Sequence, residues 1–134
     1  MKQILIICIL LIFGATETFA CGCKGLKKIN SEDYNDASEI FIGRVISVVE
    51  NREKWEKEVT FEVIDKLKPT EEKKEITITT GFDVGSCGLS INEGDKWYVF
   101  ASVDNKGLLY AGLCGRSLHL DKRFRIRDYG IKYA

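Results

Sequence analysis

Four cysteines constrain the fold of this chain more than any other feature of its sequence. Cys21 and Cys23 are separated by a single glycine, whereas Cys87 and Cys114 lie far along the chain. A bridge between Cys21 and Cys23 would be strained, so each is expected to pair with one of the distant cysteines. Both possible arrangements close loops of more than sixty residues. Each bridge then contributes about 4 kcal/mol through its effect on chain entropy.

A zinc site with four thiolate ligands is the competing interpretation of the same cysteines. Structural zinc sites usually take their ligands from two close pairs along the chain. Cys21 and Cys23 form one such pair, but Cys87 and Cys114 are too far apart in the sequence to form the other. The spacing therefore favours two disulfides, which are typical of small exported proteins.

The first twenty residues have the anatomy of a secretory signal peptide. A positively charged start at residues 1–3 is followed by ten apolar residues at 4–13. The small residues Thr18 and Ala20 then occupy positions −3 and −1 of a cleavage site. A membrane-spanning helix needs about 20 apolar residues, so this run is too short to be a membrane anchor.

We expect residues 1–20 to be removed, so that residues 21–134 form one secreted domain, extracellular or periplasmic. Cys8 leaves with the leader, and the mature chain begins with Cys21, which then carries the free α-amine. A bacterial lipoprotein is also cut before a cysteine, and acylation of Cys21 would attach the protein to a membrane. Thr18 stands where a lipoprotein signal usually has leucine, so we favour the unmodified form.

Charge and motif content exclude several classes of function. The chain carries 20 basic and 20 acidic residues and no net charge, which argues against a dedicated nucleic-acid or anionic-membrane binder. It has a single histidine, His119, and no nucleophile elbow, P-loop or dinucleotide-binding fingerprint. The sequence therefore favours a monomeric binding protein without a cofactor over an enzyme.

Alternating and β-branched segments predict an all-β fold with little helix. Ser31 is placed to cap a short helical turn, and Gly43 inside the first strand indicates a bulge or bend. Five strands in one small domain fit a closed barrel of the OB type, whereas a β-sandwich usually needs about seven strands. The predicted strands are Glu39–Glu50, Lys57–Ile64, Glu75–Thr80, Trp97–Val103 and Leu108–Leu113.

Several segments together resemble the N-terminal inhibitory domain of the tissue inhibitors of metalloproteinases, within the netrin-like group. The resemblance implies a five-stranded OB-type barrel for residues 21–134, with Cys21 paired to Cys87 and Cys23 to Cys114. The segments that carry it are Cys21-Gly22-Cys23, the strand at 40–45, Ser86-Cys87-Gly88, and residues 107–110 leading to Cys114.

The resemblance also implies a mechanism and a partner. In the family, the N-terminal amine and its neighbouring carbonyl form a chelate on the catalytic zinc of an extracellular metalloproteinase and displace its water. The neighbouring residues lie along the protease cleft like a substrate. Carried over, Cys21 would bind the zinc, Gly22 would face the primary specificity pocket with Cys23 and Lys24 beyond it, and Ser86 and Cys87 would form the adjoining part of this binding ridge.

Gly22 and the number of cysteines depart from the family pattern. Gly22 has no side chain for the specificity pocket, and an unfilled apolar pocket forgoes about 1.5–3 kcal/mol of binding free energy. The third disulfide of the family has no cysteines to form it. Weak inhibition is therefore expected. The alternative function is an exported netrin-like binding module for an unknown protein ligand, or a lipid-anchored version of it.

Overall fold

Strands make up most of the structure, a computed structural model that describes residues 21–23 and 29–120. The expected signal peptide and Lys24 lie outside the described residues. One short helix, α1, precedes six strands. Their bounds are α1 Ser31–Asp36, β1 Glu39–Asn51, β2 Glu56–Lys66, β3 Glu75–Gly81, β4 Lys96–Val103, β5 Leu109–Tyr110 and β6 Leu118–His119.

Five of the strands close into a barrel. The order around it is β1-β2-β3-β5-β4, and a second pairing of β1 with β4 completes the ring. β3 and β5 are parallel, while the other neighbours in the ring are antiparallel. This confirms the predicted all-β, five-stranded closed barrel of the OB type. β6, which the sequence did not predict, pairs with β4 outside the ring.

Gly43 allows β1 to bend where it pairs with both β2 and β4. The register between β1 and β2 shifts between Ile42 and Gly43, as expected from a glycine inside a strand. A Cβ atom on Gly43 would lie 3.0 Å from the Phe41 ring, 3.0 Å from Phe61 Cβ and 3.1 Å from the Glu62 carbonyl oxygen. A larger residue would therefore push β2 away where the barrel bends.

Two clusters of buried side chains lie on opposite faces of β1. The larger fills the barrel, where the Phe41 and Phe61 rings meet edge to face at 5.5 Å between centroids. The smaller lies outside the barrel wall and is covered by Ile29, Leu67 and Leu120. The buried residues of the first are Phe41, Val45, Val59, Phe61, Ile76, Ile78, Leu89, Ile91, Trp97, Val99, Ala101 and Ala111; those of the second are Ala37, Ile40, Ile42, Tyr98, Phe100 and Leu118.

Helix α1 begins one residue earlier than predicted, because Asn30 and not Ser31 is its N-cap. The Asn30 side chain accepts a hydrogen bond from the Asp33 N–H at 3.0 Å, and the Asp33 carboxylate accepts one from the Asn30 N–H at 2.9 Å. This reciprocal pair is a capping box. At the C-terminal end of the helix, Lys68 donates a hydrogen bond to the Tyr34 carbonyl at 2.9 Å. A cation at this end interacts favourably with the helix dipole.

None of the helices in residues 21–23 and 29–120 has the length and apolar character needed to cross a membrane.

Phe61 offers a test of the barrel core. The side chain is fully buried, so Phe61→Ala removes its burial and leaves a cavity, which lowers the free energy of unfolding by about 3–5 kcal/mol. Ile64→Ala on the same strand is the control, because that side chain is 49% exposed and its loss changes stability by about 0.5 kcal/mol or less. Urea unfolding of both variants checks this, and equal effects would contradict the assigned core.

Candidate functional site

Two disulfides attach the segment Cys21–Cys23 to the barrel. Cys21 is bonded to Cys87 and Cys23 to Cys114, with Cα–Cα distances of 5.4 and 5.1 Å. This is the pairing that the resemblance implied. Cys21 Sγ also lies 3.9 Å from Cys114 Sγ, so the two bridges are in contact. Such bridges are typical of an oxidising, extracellular-type compartment.

Gly22 is the exposed middle of this segment. It lies between two residues that are each covalently attached to a different loop. A Cβ atom placed on Gly22 would meet no atom of the residues that the structure describes within 4 Å. The backbone is therefore held from both sides, while the described part of the chain leaves room for a side chain at Gly22.

A tight turn presents Ser86 and Cys87 beside this segment. The Ser86 N–H donates to Asp83 Oδ1 at 2.8 Å, and the Ser86 hydroxyl accepts from the Asp83 N–H at 3.0 Å. The Gly88 N–H closes the turn on the Asp83 carbonyl at 2.8 Å. The Ser86 hydroxyl is therefore occupied by hydrogen bonds within its own turn.

Gly81 and Gly88 explain how Cys87 reaches its position. A Cβ atom on Gly88 would lie 1.9 Å from the Gly81 carbonyl oxygen, and one on Gly81 would lie 2.7 Å from the Gly88 nitrogen. Only glycine fits at either place. Cys87 itself has φ +60°, in the left-handed region that non-glycine residues rarely adopt. The sequence indicates a turn-rich connection between these two glycines, but it gives no sign that they contact each other.

The loop that carries Cys114 lies against the Cys87 loop. The Leu113 N–H donates to the Cys87 carbonyl at 2.8 Å, and the Gly115 N–H closes a turn on the Gly112 carbonyl at 3.0 Å. These turns end β5 after two residues, although the sequence predicted a strand through Leu113. A mostly apolar cavity of about 290 Å³ lies here, lined in part by Phe100, Tyr110 and the two cysteines of the loops.

An ion pair ties the Cys114 loop to helix α1. Arg116 Nε donates to Asp33 Oδ1 at 2.9 Å, and both side chains are mostly covered. The Arg116 guanidinium holds the pKa of the Asp33 carboxyl below its usual value. Burial opposes this shift in part, and the Asn30 N–H reinforces it. The Asp33 carboxylate thus both caps helix α1 and pairs with Arg116 of the loop that carries Cys114.

An exposed aromatic cluster begins the loop that leads to Cys87. Trp55 stacks on Phe82 at 4.5 Å between ring centroids, and the Phe82 N–H donates to the Trp55 carbonyl at 3.0 Å. Arg52 and Lys57 lie over the same Phe82 ring. Trp55 is 51% exposed. The turn that contains Trp55 is therefore linked to the loop that carries Cys87. Their separation in the sequence gave no sign of this contact.

His119 contacts an aspartate and a buried tryptophan. Its Nε2 lies 3.2 Å from Asp95 Oδ2, and its ring meets the buried Trp97 edge-on. Burial raises the pKa of the Asp95 carboxyl, but hydrogen bonds from the Asn92 N–H and His119 outweigh it, so the net shift is downward. Trp97 belongs to the larger cluster of buried side chains.

The fold and the site define a barrel of the OB type with the segment Cys21–Cys23 bonded to two of its loops. No protein-family model matches this chain, and no curated protein matches it either. One barrel type hosts many functions, so the function of this protein depends on the site and not on the barrel alone.

Acid should uncouple α1 from the Cys114 loop. A carboxyl with a lowered pKa in the folded state stabilises the fold above its unfolded-state pKa of about 3.9. That stability is lost as the pH falls through the lower, folded-state pKa. In a double-mutant cycle of Asp33→Asn and Arg116→Gln, we expect a coupling free energy on the order of 1 kcal/mol at pH 7. The coupling should weaken progressively as the pH falls below the unfolded-state pKa and through the lower folded-state pKa, as measured by urea unfolding at several pH values. A coupling that does not depend on pH would contradict this.

Proposed function

We propose that the mature protein inhibits zinc metalloproteinases by placing the amine and carbonyl of Cys21 on the catalytic zinc. The observation that carries the proposal is the double attachment of the segment Cys21–Cys23. One disulfide joins it to the loop that carries Cys87, and the other joins it to the neighbouring loop that carries Cys114. Cleavage after Ala20 would make Cys21 the first residue. Its amine would then belong to a backbone segment whose position is fixed by two disulfides.

The chemistry of a terminal cysteine suits zinc. The α-amine has an ordinary pKa of about 8, so it loses its proton readily when a metal competes for the lone pair. The neutral nitrogen and the neighbouring carbonyl oxygen close a five-membered chelate. Catalytic zinc sites keep one position for water or substrate, and the chelate takes that position.

Rigidity supports the proposal on energetic grounds. Ordering a free peptide in a cleft costs about 1–2 kcal/mol for each backbone residue that is fixed. The bridges at Cys21 and Cys23 order this backbone already during folding. The contact between Gly81 and Gly88 and the turn around Ser86 do the same for Cys87. Less entropy is then lost on binding. Lys24 would extend the ridge beyond Cys23.

The Cys21–Cys87 bridge supports an unlipidated N-terminus. An acylated lipoprotein cysteine carries its lipid on sulfur, and a sulfur in a disulfide has no position for it. The membrane-attached form would therefore need to give up this bridge and the geometry of the ridge with it.

A binding module without inhibitory activity is the second candidate function. It is favoured by the bare Gly22 and by the exposed Trp55–Phe82 cluster, which offers stacking surface flanked by Arg52 and Lys57. Aromatic and arginine side chains are enriched where proteins bind one another. In that case the ligand is a protein that contacts the cluster and has no zinc.

The state of the N-terminus is tested by mass. We expect the purified mature protein to begin at Cys21 with an unblocked amine and no free thiol, because all four remaining cysteines are bridged. Intact mass spectrometry before and after alkylation under denaturing, non-reducing conditions measures this. Added diacylglycerol mass, or any alkylation, would contradict it.

The zinc contact is tested by a one-residue extension. An alanine added before Cys21 moves the amine off the residue that the bridge holds, so inhibition should be lost while the fold stays intact. Inhibition constants against a panel of zinc metalloproteinases measure the effect, and thermal unfolding of both proteins controls for stability. An extended protein that inhibits equally well would exclude the chelate.

Gly22 substitutions test the specificity pocket. Gly22→Ala and Gly22→Thr should strengthen inhibition in that order, by about tenfold for threonine if about 1.4 kcal/mol is recovered. The space around Gly22 accepts a side chain without a clash, so the fold provides no competing explanation. Absence of inhibition in the correctly processed protein and in Gly22→Thr would overturn the inhibitor proposal in favour of the binding module.

A further inference from the structure

We propose that the four cysteine sulfurs form, once the two bridges are reduced, a binding site for a thiolate-preferring metal ion such as Zn²⁺. The Sγ atoms of Cys21, Cys23 and Cys114 all lie within 4.8 Å of one another. The fourth sulfur, that of Cys87, is bonded to Cys21. This proposal does not rest on protease inhibition, because it concerns the sulfurs and not the terminal amine. The bridges and the metal site use the same cysteines, so they belong to the oxidised and the reduced protein respectively.

The spacing of three of the sulfurs is close to that of a tetrahedral metal site. A Zn–S bond is about 2.3 Å long, so the sulfurs of a four-thiolate site lie about 3.8 Å apart. Cys21 Sγ and Cys114 Sγ, which are not bonded to each other, are 3.9 Å apart. A bonded pair must open by about 1.8 Å to reach the same spacing. The site therefore requires the cysteine side chains to rotate after reduction, above all that of Cys87, whose sulfur is not one of the three that lie within 4.8 Å of one another.

The barrel brings Cys87 and Cys114 together without help from the bridges. The Leu113 N–H donates to the Cys87 carbonyl at 2.8 Å, and the Ala111 N–H donates to the Thr79 carbonyl at 3.1 Å. The parallel pairing of β3 with β5 continues the same contact. Sequence spacing argued against a zinc site because these two cysteines are far apart along the chain, but the fold makes them the second close pair.

The conversion between the two states is balanced. Each bridge takes two electrons and two protons from a dithiol reductant, which becomes a disulfide itself. Four thiols result, and they release four protons as they bind Zn²⁺ as thiolates. Cys23 and Cys114 are exposed, so a reductant and a metal both reach the cluster. Bound metal would then hold Cys21–Cys23 on the barrel in place of the covalent bonds.

Cobalt titration tests the site directly. The purified protein is reduced with a phosphine under argon, desalted and titrated with Co²⁺. We expect one equivalent to bind, with the thiolate-to-cobalt charge-transfer absorption and strong visible bands of tetrahedral coordination, and Zn²⁺ to displace it. The oxidised protein should show none of these bands. Circular dichroism recorded alongside shows whether reduction unfolds the barrel and whether metal restores it.

Cysteine variants separate a four-sulfur site from binding by the N-terminal pair alone. Cys87→Ser and Cys114→Ser should each weaken Zn²⁺ affinity by about 100-fold or more, since loss of even an outer-shell partner of a ligand costs about 10–100-fold. Ser90→Ala, an exposed position without sulfur, is the matched control and should bind as the unsubstituted protein does. No cobalt band in the reduced protein, folded or unfolded, would overturn the proposal, as would an unchanged spectrum in Cys114→Ser.

Discussion

The parallel pairing of β3 with β5, at Thr79 and Tyr110, is the contact on which the candidate site depends. Two parallel strands leave a sheet at the same edge, so the loops that follow them lie side by side. One loop carries Cys87 and the other Cys114. Without this pairing, the loops that carry Cys87 and Cys114 would not lie side by side, and the segment Cys21–Cys23 could not be bonded to both of them.

Closure of the barrel makes that pairing possible, and closure depends on β1. The strand pairs with β2 and with β4, and it bends where Gly43 allows Phe41 and Phe61 to approach. A continuous path of contacts therefore runs from the aromatic core to the segment Cys21–Cys23. Glycine contacts and bridges hold the backbone of the site, and the described residues leave space at Gly22.

The sequence allowed the barrel and its loops to be predicted, because alternation marks strands and turn residues mark their ends. β6 escaped notice because its two residues are too few to show a period. The early end of β5 and the cap at Asn30 depend on hydrogen bonds to residues that only the folded chain identifies. The contact of Gly81 with Gly88 is similar: each glycine is visible alone, but their meeting belongs to the tertiary structure. For the same reason, residue spacing alone left the choice of cysteine partners open.

The order in which the chain is synthesised gives the bridges a further meaning. Cys21 and Cys23 leave the ribosome first, but their partners follow 66 and 91 residues later. The segment Cys21–Cys23 therefore cannot be joined to the barrel until nearly all of the barrel strands have been made. A chain that contains both bridges is then one in which β3, β5 and the loops that follow them have come together.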